Sequence, residues 1–265
     1  MITSNSNQQI KDIRRLKDRK YREETGLFFV EGIRLAYDAM RNPKNIKTLI
    51  FSQDLSNSKN SVEIVKNARI LGIPVLEVGA DVFKSLSVKD GPQGLAAVVK
   101  QEWEDLSQTT EYAGNWTALV EVADPGNLGT ILRTSDATGG MGVILVGQCT
   151  DPFDPATARA SMGSIFSQRI VKVGKDAFIE WARISQQRII GTSDRAELDY
   201  KDVMYSPDSI ILMGSERHGI SEDIEAVCKE TVSIPMSGIC DSLNLAVAAS
   251  VMMYERFNQQ KRNIK

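Results

Sequence analysis

A chain of 265 residues with 42% hydrophobic and 25% charged side chains can bury a full core and is long enough for two domains. Its formal net charge of −2 excludes a general attraction to phosphate, so any contact with nucleic acid has to come from local clusters of charge. Three unclustered cysteines and a single histidine point away from a disulfide framework or a metal site, and toward a reducing cytoplasm. The start of the chain, MITSNSNQQIKD, is polar, and no apolar run reaches the roughly 18 residues of a membrane span. The expectation is a protein neither exported nor embedded.

In chain order, residues 11–22 (KDIRRLKDRKYR) set seven Lys/Arg against two Asp, with Ile13, Leu16 and Tyr21 forming a partial apolar face. This predicts an amphipathic helix, either simply solvated or laid against RNA phosphates through Lys11, Arg14, Arg15 and Lys17. Apolar runs at 28–32, 47–52, 73–78 and 94–100 predict strands, with helices near 33–40, 62–71 and 81–86. That alternation predicts a small α/β domain over residues 1–103. The polar, acidic stretch 104–115 reads as a linker.

A second domain is predicted over 116–265. Strands are expected at 117–123, 142–147, 169–173, 188–193, 210–214 and 231–235, and helices at 127–138, 154–166, 176–187, 221–228 and from Ser242 onward. Leu128, Ile131, Leu132 and Ser135 recur at helical spacing and should face inward, leaving Arg133 on the open side. Near-continuous apolar strands imply a parallel sheet covered on both faces.

Three stretches place polar groups just after such strands: Asp124 to Arg133 (DPGNLGTILR), Leu212 to Gly219 (LMGSERHG) and Ile234 to Asn244 (IPMSGICDSLN). In α/β sheets the carboxyl edge is where ligands bind. Asp241 and Ser242 are both suited to cap a helix start. The ordered motifs N-x-G-x-x-x-R, G-S-E-x-x-G and I-P-M-x-G-x-x-x-S-L-N resemble those of the SpoU (TrmH-like) RNA ribose 2′-O-methyltransferases.

That resemblance implies an L30e-like α/β substrate-binding domain followed by a SPOUT α/β domain with a parallel sheet and a carboxy-terminal trefoil knot. It implies S-adenosyl-L-methionine as cofactor, held by the backbones of Gly214, Ile234 and Leu243, and no metal. It further implies a homodimer formed through the second domain, structured RNA as partner with the ribosomal 23S species first, and a cytoplasmic location. Arg133 matches the essential arginine of the family, with Asn127, Glu216, Ser242 and Asn244 completing the catalytic set. A guanidinium is a poor base at neutral pH, so phosphate binding and stabilisation of a developing alkoxide suit Arg133 better. The proton then leaves to a phosphate oxygen, to Glu216 or to water.

Other readings remain for individual residues: Ser242 or Asn127 as helix caps, Glu216 as a solvated loop acid, and Arg133 as a surface arginine. Arg217 departs from the glycine many relatives carry. Among alternative functions, transfer-RNA methylation and a non-catalytic RNA-binding role on the same scaffold stay open. A nucleotide-dependent oxidoreductase is disfavoured, because no G-x-G-x-x-G follows an early strand.

Overall fold

The computed structural model describes residues 1–56, 58–88, 90–111 and 114–263. Positions 112–113 of the expected linker, 57 and 89 of the expected first domain, and 264–265 of the expected second domain lie outside the described residues. The chain divides into two compact units, Met1–Gln101 with Asp151–Phe166, and Glu102–Thr150 with Ser167–Lys265.

The first unit begins where one helix was expected over 11–22, and the structure corrects this to two. Helix α1 (Gln8–Arg15) is capped by the Asn7 side chain, and α2 (Arg19–Thr25) by Asp18, whose carboxylate accepts from Lys20 N at 2.8 Å. The break follows from Asp18 holding an extended N-cap conformation, which a continuing helix would forbid. Ile10, Ile13 and Leu16 are buried in a core with Phe29, Phe83 and Leu86, so the apolar face of α1 packs inward.

Strand β1 (Leu27–Glu31), α3 (Ile33–Ala39), β2 (Ile46–Phe51), α4 (Lys59–Ile70), β3 (Val75–Glu77), α5 (Ala80–Leu86) and β4 (Leu95–Lys100) complete the run to residue 101. The sheet order is β1-β4-β2-β3, with β4 antiparallel to both neighbours and β2 parallel to β3.

In the second unit, helix α6 (Gln108–Glu111) lies within the stretch expected as linker, and Glu104 pairs with Arg169 at 2.9 Å. Strand β5 (Trp116–Val120), α7 (Pro125–Ala137) and β6 (Gly142–Val146) follow. The chain then returns to the first unit for residues 151–166. A helix was expected over 154–166, but only α8 (Pro155–Ala160) is α-helical there, followed by a 3-10 turn at Ser164–Phe166. Gly163, with φ of +100°, separates the two, and an added Cβ there would lie 2.2 Å from Asp38 Oδ2. Phe153 packs its ring 4.9 Å from that of Phe28.

Arg22 joins this segment to the amino-terminal helices. Its side chain is 1% exposed; Nε donates to Asp151 Oδ2 at 2.7 Å and Nη2 to Asp154 Oδ2 at 3.3 Å. Nη1 donates to the carbonyls of Leu16 and Lys17, both at 2.9 Å, and so serves the end of α1.

The second unit continues with β7 (Arg169–Val173), α9 (Lys175–Ser185), β8 (Ile189–Thr192), β9 (Leu198–Asp199), β10 (Ile210–Met213), α10 (Glu222–Glu225), β11 (Glu230–Ser233) and α11 (Leu245–Asn263). Its seven strands are all parallel, in the order β7-β6-β5-β10-β8-β11-β9. The two-residue edge strand β9 was not expected. Trp116, Ala118, Ile144, Val171, Phe178, Ile189 and Leu212 are buried in one core, as continuous apolar strands covered by helices require. Arg256, on α11, is also buried; Nη1 donates to the Trp116 and Ser209 carbonyls, and burial pulls its pKa down to about 10. No described helix is long and apolar enough to cross a membrane.

Candidate active site

Strand β5 sits mid-sheet. The chain winds from it to β6 and β7 on one side, while β10 and β8 lie on the other. A crevice at the carboxyl ends of β5 and β10 is therefore the topological switch point, where ligands bind in open α/β sheets. All three motif stretches emerge at this edge: one after β5, one after β10 and one after β11.

Helix α7 starts in the first stretch because Asp124 caps it, accepting from Asn127 N at 2.7 Å, with Pro125 in the first turn. The cap is thus Asp124, which frees the Asn127 side chain. Asn127 Nδ2 donates to Glu216 Oε1 at 3.1 Å, and Asn127 Oδ1 accepts from Asn244 Nδ2 at 3.1 Å. Asn244 Oδ1 in turn accepts from Ala246 N at 3.0 Å and caps α11. One ladder of amides and a carboxylate consequently ties all three loops together.

The last helix starts at Leu245, not at Ser242, and its cap is Asn244. Ser242 is exposed and, among the described residues, donates only to its neighbour Asp241, at 3.4 Å. Arg133 is exposed on α7, while Leu128, Ile131, Leu132 and Ser135 are fully buried, as the spacing predicts. Thr130 and Arg133 follow Asn127 at three-residue steps along one side of the helix.

Gly214 begins the loop after β10, and an added Cβ there would meet the Gly219 carbonyl carbon at 2.3 Å and Ile220 N at 2.7 Å. The glycine is required because the loop folds back on itself, with Ser215 N donating to Gly219 O at 2.9 Å. Arg217, exposed in that loop, fits without disturbing the turn, because Gly219 carries the positive φ of +64°. Ile234, half-buried, follows β11 at the same edge; β8 lies between β10 and β11, so Gly214 and Ile234 are about 10 Å apart by strand spacing.

Leu243 is partly exposed, as is Met236, in a loop whose residues 235–244 are all exposed. Among the described residues, no amide from Met236 to Leu243 donates to another backbone carbonyl. Free backbone groups beside apolar side chains suit a nucleoside with a polar edge and a flat apolar face, and so suit S-adenosylmethionine.

Two features here were missed by motif reading. Asp124 carries a signal that could have found it, the Asp-Pro pair at a helix start. Glu121, at φ +49°, holds a left-handed conformation directly after β5, which no residue pattern announces. Cys149 lies near the same edge; burial pushes its thiol up to about 11, helped by Glu121 and Glu216, so it stays protonated.

Residues 116–254 match the SpoU rRNA Methylase family, and residues 7–97 match the MRM3-like substrate binding domain. The chain is 30% identical over 253 residues to the 23S rRNA (uridine(2479)-2′-O)-methyltransferase of Streptomyces viridochromogenes, covering 92% of this chain and 87% of that one. It is 28% identical over 254 residues to the 23S rRNA (guanosine(2553)-2′-O)-methyltransferase of Bacillus subtilis, covering 96% and 97%. The crystal structure of an AdoMet-bound rRNA methyltransferase from Sinorhizobium meliloti superposes with a TM-score of 0.86 at 35% identity, over 97% of each chain. With more than half of its length matched by one family and relatives aligned nearly end to end, the chain belongs to the SpoU rRNA methylase family.

Proposed function

We propose that this protein transfers a methyl group from S-adenosylmethionine to a ribose 2′-oxygen of 23S ribosomal RNA. The observation that carries the reading is the Asn244–Asn127–Glu216 ladder at the switch point, which fixes three loops of one sheet edge in a single arrangement. In-line transfer needs a nucleophile held in place more than it needs acid–base power. When bound, S-adenosylmethionine supplies an electrophilic methyl carbon, and the backbones of Gly214, Ile234 and Leu243 hold its nucleoside part.

Arg133 binds the target phosphate and stabilises negative charge growing on the 2′-oxygen. Asn127 keeps Glu216 in place through Oε1, which leaves Oε2 as one acceptor for the hydroxyl proton; a phosphate oxygen and water are the others. Ser242 holds phosphate at the rim of the loop, and Asn244 orients Asn127. The same reading makes the second unit the seat of a trefoil knot and of a homodimer, the latter supported by exposed Met204, Ile239, Val247 and Tyr254. Three free cysteines support action in the cytoplasm.

The decisive experiment maps ribose methylation across total RNA from cells with and without the protein. One 23S mark is expected to vanish. Loss of a transfer-RNA mark alone would move the substrate, and no lost mark would leave a binding protein without catalysis.

RNA reaches the site with help from the first unit. Lys11, Arg14, Arg15 and Lys17 provide the charge, although Arg14 also donates to Ser85 Oγ at 2.9 Å and Lys17 to the Ser87 carbonyl at 3.1 Å. Partial burial lowers the Lys17 pKa, with the nearby Arg14 adding to the effect. Neutralising all four is expected to flatten the slope of log affinity against log salt by about 3. An unchanged slope in filter-binding titrations returns this face to a structural role.

A further inference from the structure

Helices α3 and α4 of the first unit flank an open cavity of about 630 Å³, with a more apolar side and a more polar side. Ile33 and Tyr37 on α3 and Met40 at its C-cap recur at helical spacing and form the apolar side, with Tyr37 58% exposed. Asn60, Glu63 and Asn67 recur likewise on α4 and give a polar, exposed rim beside the buried Ile64. Gln93 closes one end. Its Oε1 already accepts from Ile33 N at 3.3 Å, so the amide group of Gln93 presents donors.

We infer that this cavity holds one unpaired guanine base of the RNA substrate, a reading that rests on the RNA methyltransferase function proposed above. An aromatic ring beside an apolar wall offers a stacking platform for a base splayed out of its strand, and amide side chains read base edges. The volume falls in the range of small-ligand pockets, roughly 300–1,000 Å³.

Glu63 selects the occupant. Among the described residues it forms no ion pair, so its carboxylate remains an acceptor in the cavity. A free carboxylate repels phosphate. It accepts two hydrogen bonds side by side from N1–H and the 2-amino group of guanine, the one base whose Watson–Crick edge presents two adjacent donors. The guanine O6 then falls to amide donors of the kind Asn67 and Gln93 supply. Arg34, at the rim, is anchored through Nε to Asp38 Oδ2 at 2.7 Å, which fixes one cation where the backbone of a bound strand would pass.

The test uses the full chain and nonameric oligouridylates carrying a central guanosine, inosine, adenosine or uridine, with affinity measured by fluorescence anisotropy. Guanosine is expected to bind about tenfold more tightly than uridine, with inosine falling behind because it lacks the 2-amino group. Glu63→Gln is expected to erase the preference for guanosine over inosine, and Tyr37→Leu to weaken every purine. Affinity for S-adenosylmethionine should be unchanged in both, reporting an intact second unit. No guanosine preference in the wild-type chain, or a preference that survives Glu63→Gln, overturns the pocket. Methyl transfer to unmodified ribosomal RNA, measured in parallel, separates the two readings: transfer without guanosine preference sinks the pocket alone, and absence of transfer sinks the function on which it rests.

Discussion

Arg133→Ala is expected to lower turnover by about 10²–10³-fold while S-adenosylmethionine binds as before. Arg133 is exposed on α7, with the buried side chains of that helix on the opposite face, so its removal opens no cavity and leaves the core untouched. The loss falls on the step in which charge grows on the attacking oxygen, and on the grip of the target phosphate. Arg133→Lys should restore only part of the activity, because an ammonium ion cannot reproduce the planar fork that meets two oxygens together. Single-turnover rates with isothermal titration of the cofactor check both statements. Undiminished turnover in Arg133→Ala removes this side chain from the mechanism.

The largest stability effect is expected far from the chemistry, at Arg22. Replacing it by Met leaves Asp151 buried without its cation and the Leu16 and Lys17 carbonyls without their donor, at a cost of about 3–5 kcal/mol. For a protein of this size that lowers the melting temperature by roughly 10 °C. Asp151→Asn should approach the same loss from the other side. Arg22→Met combined with Asp151→Asn should be less harmful than the two single losses added together, since no charge is then stranded. Thermal denaturation of the four proteins decides it, and a shift of less than about 2 °C in Arg22→Met would show the pair to be idle.

How much of this was legible beforehand depended on burial. Strands β5, β6 and β10 are covered on both faces, so each appears in the sequence as a near-continuous apolar run. Strand β9 contributes only Leu198 and Asp199 at the sheet edge, and two residues carry no periodicity. The run of cations at 11–22 concealed both a helix break and a core residue. Arg22 looks like its solvated neighbours, because the carboxylates that justify its burial lie 129 and 132 positions away. Motif order drew attention to Asn127, Glu216 and Asn244, but residue types alone could not say that two amides and one carboxylate bond in sequence, nor that Asn244 displaces Ser242 as the cap of α11.

Residues 151–166 fold with the first unit although the chain on both sides of them belongs to the second. The polypeptide therefore passes between the units three times, and severing the stretch after Gln101 leaves two covalent tethers in place. A fragment ending at Gln101 would lack Phe153 against Phe28 and both carboxylates facing Arg22. Grafting a foreign recognition module onto this catalytic scaffold would thus require exchanging two stretches of gene at once.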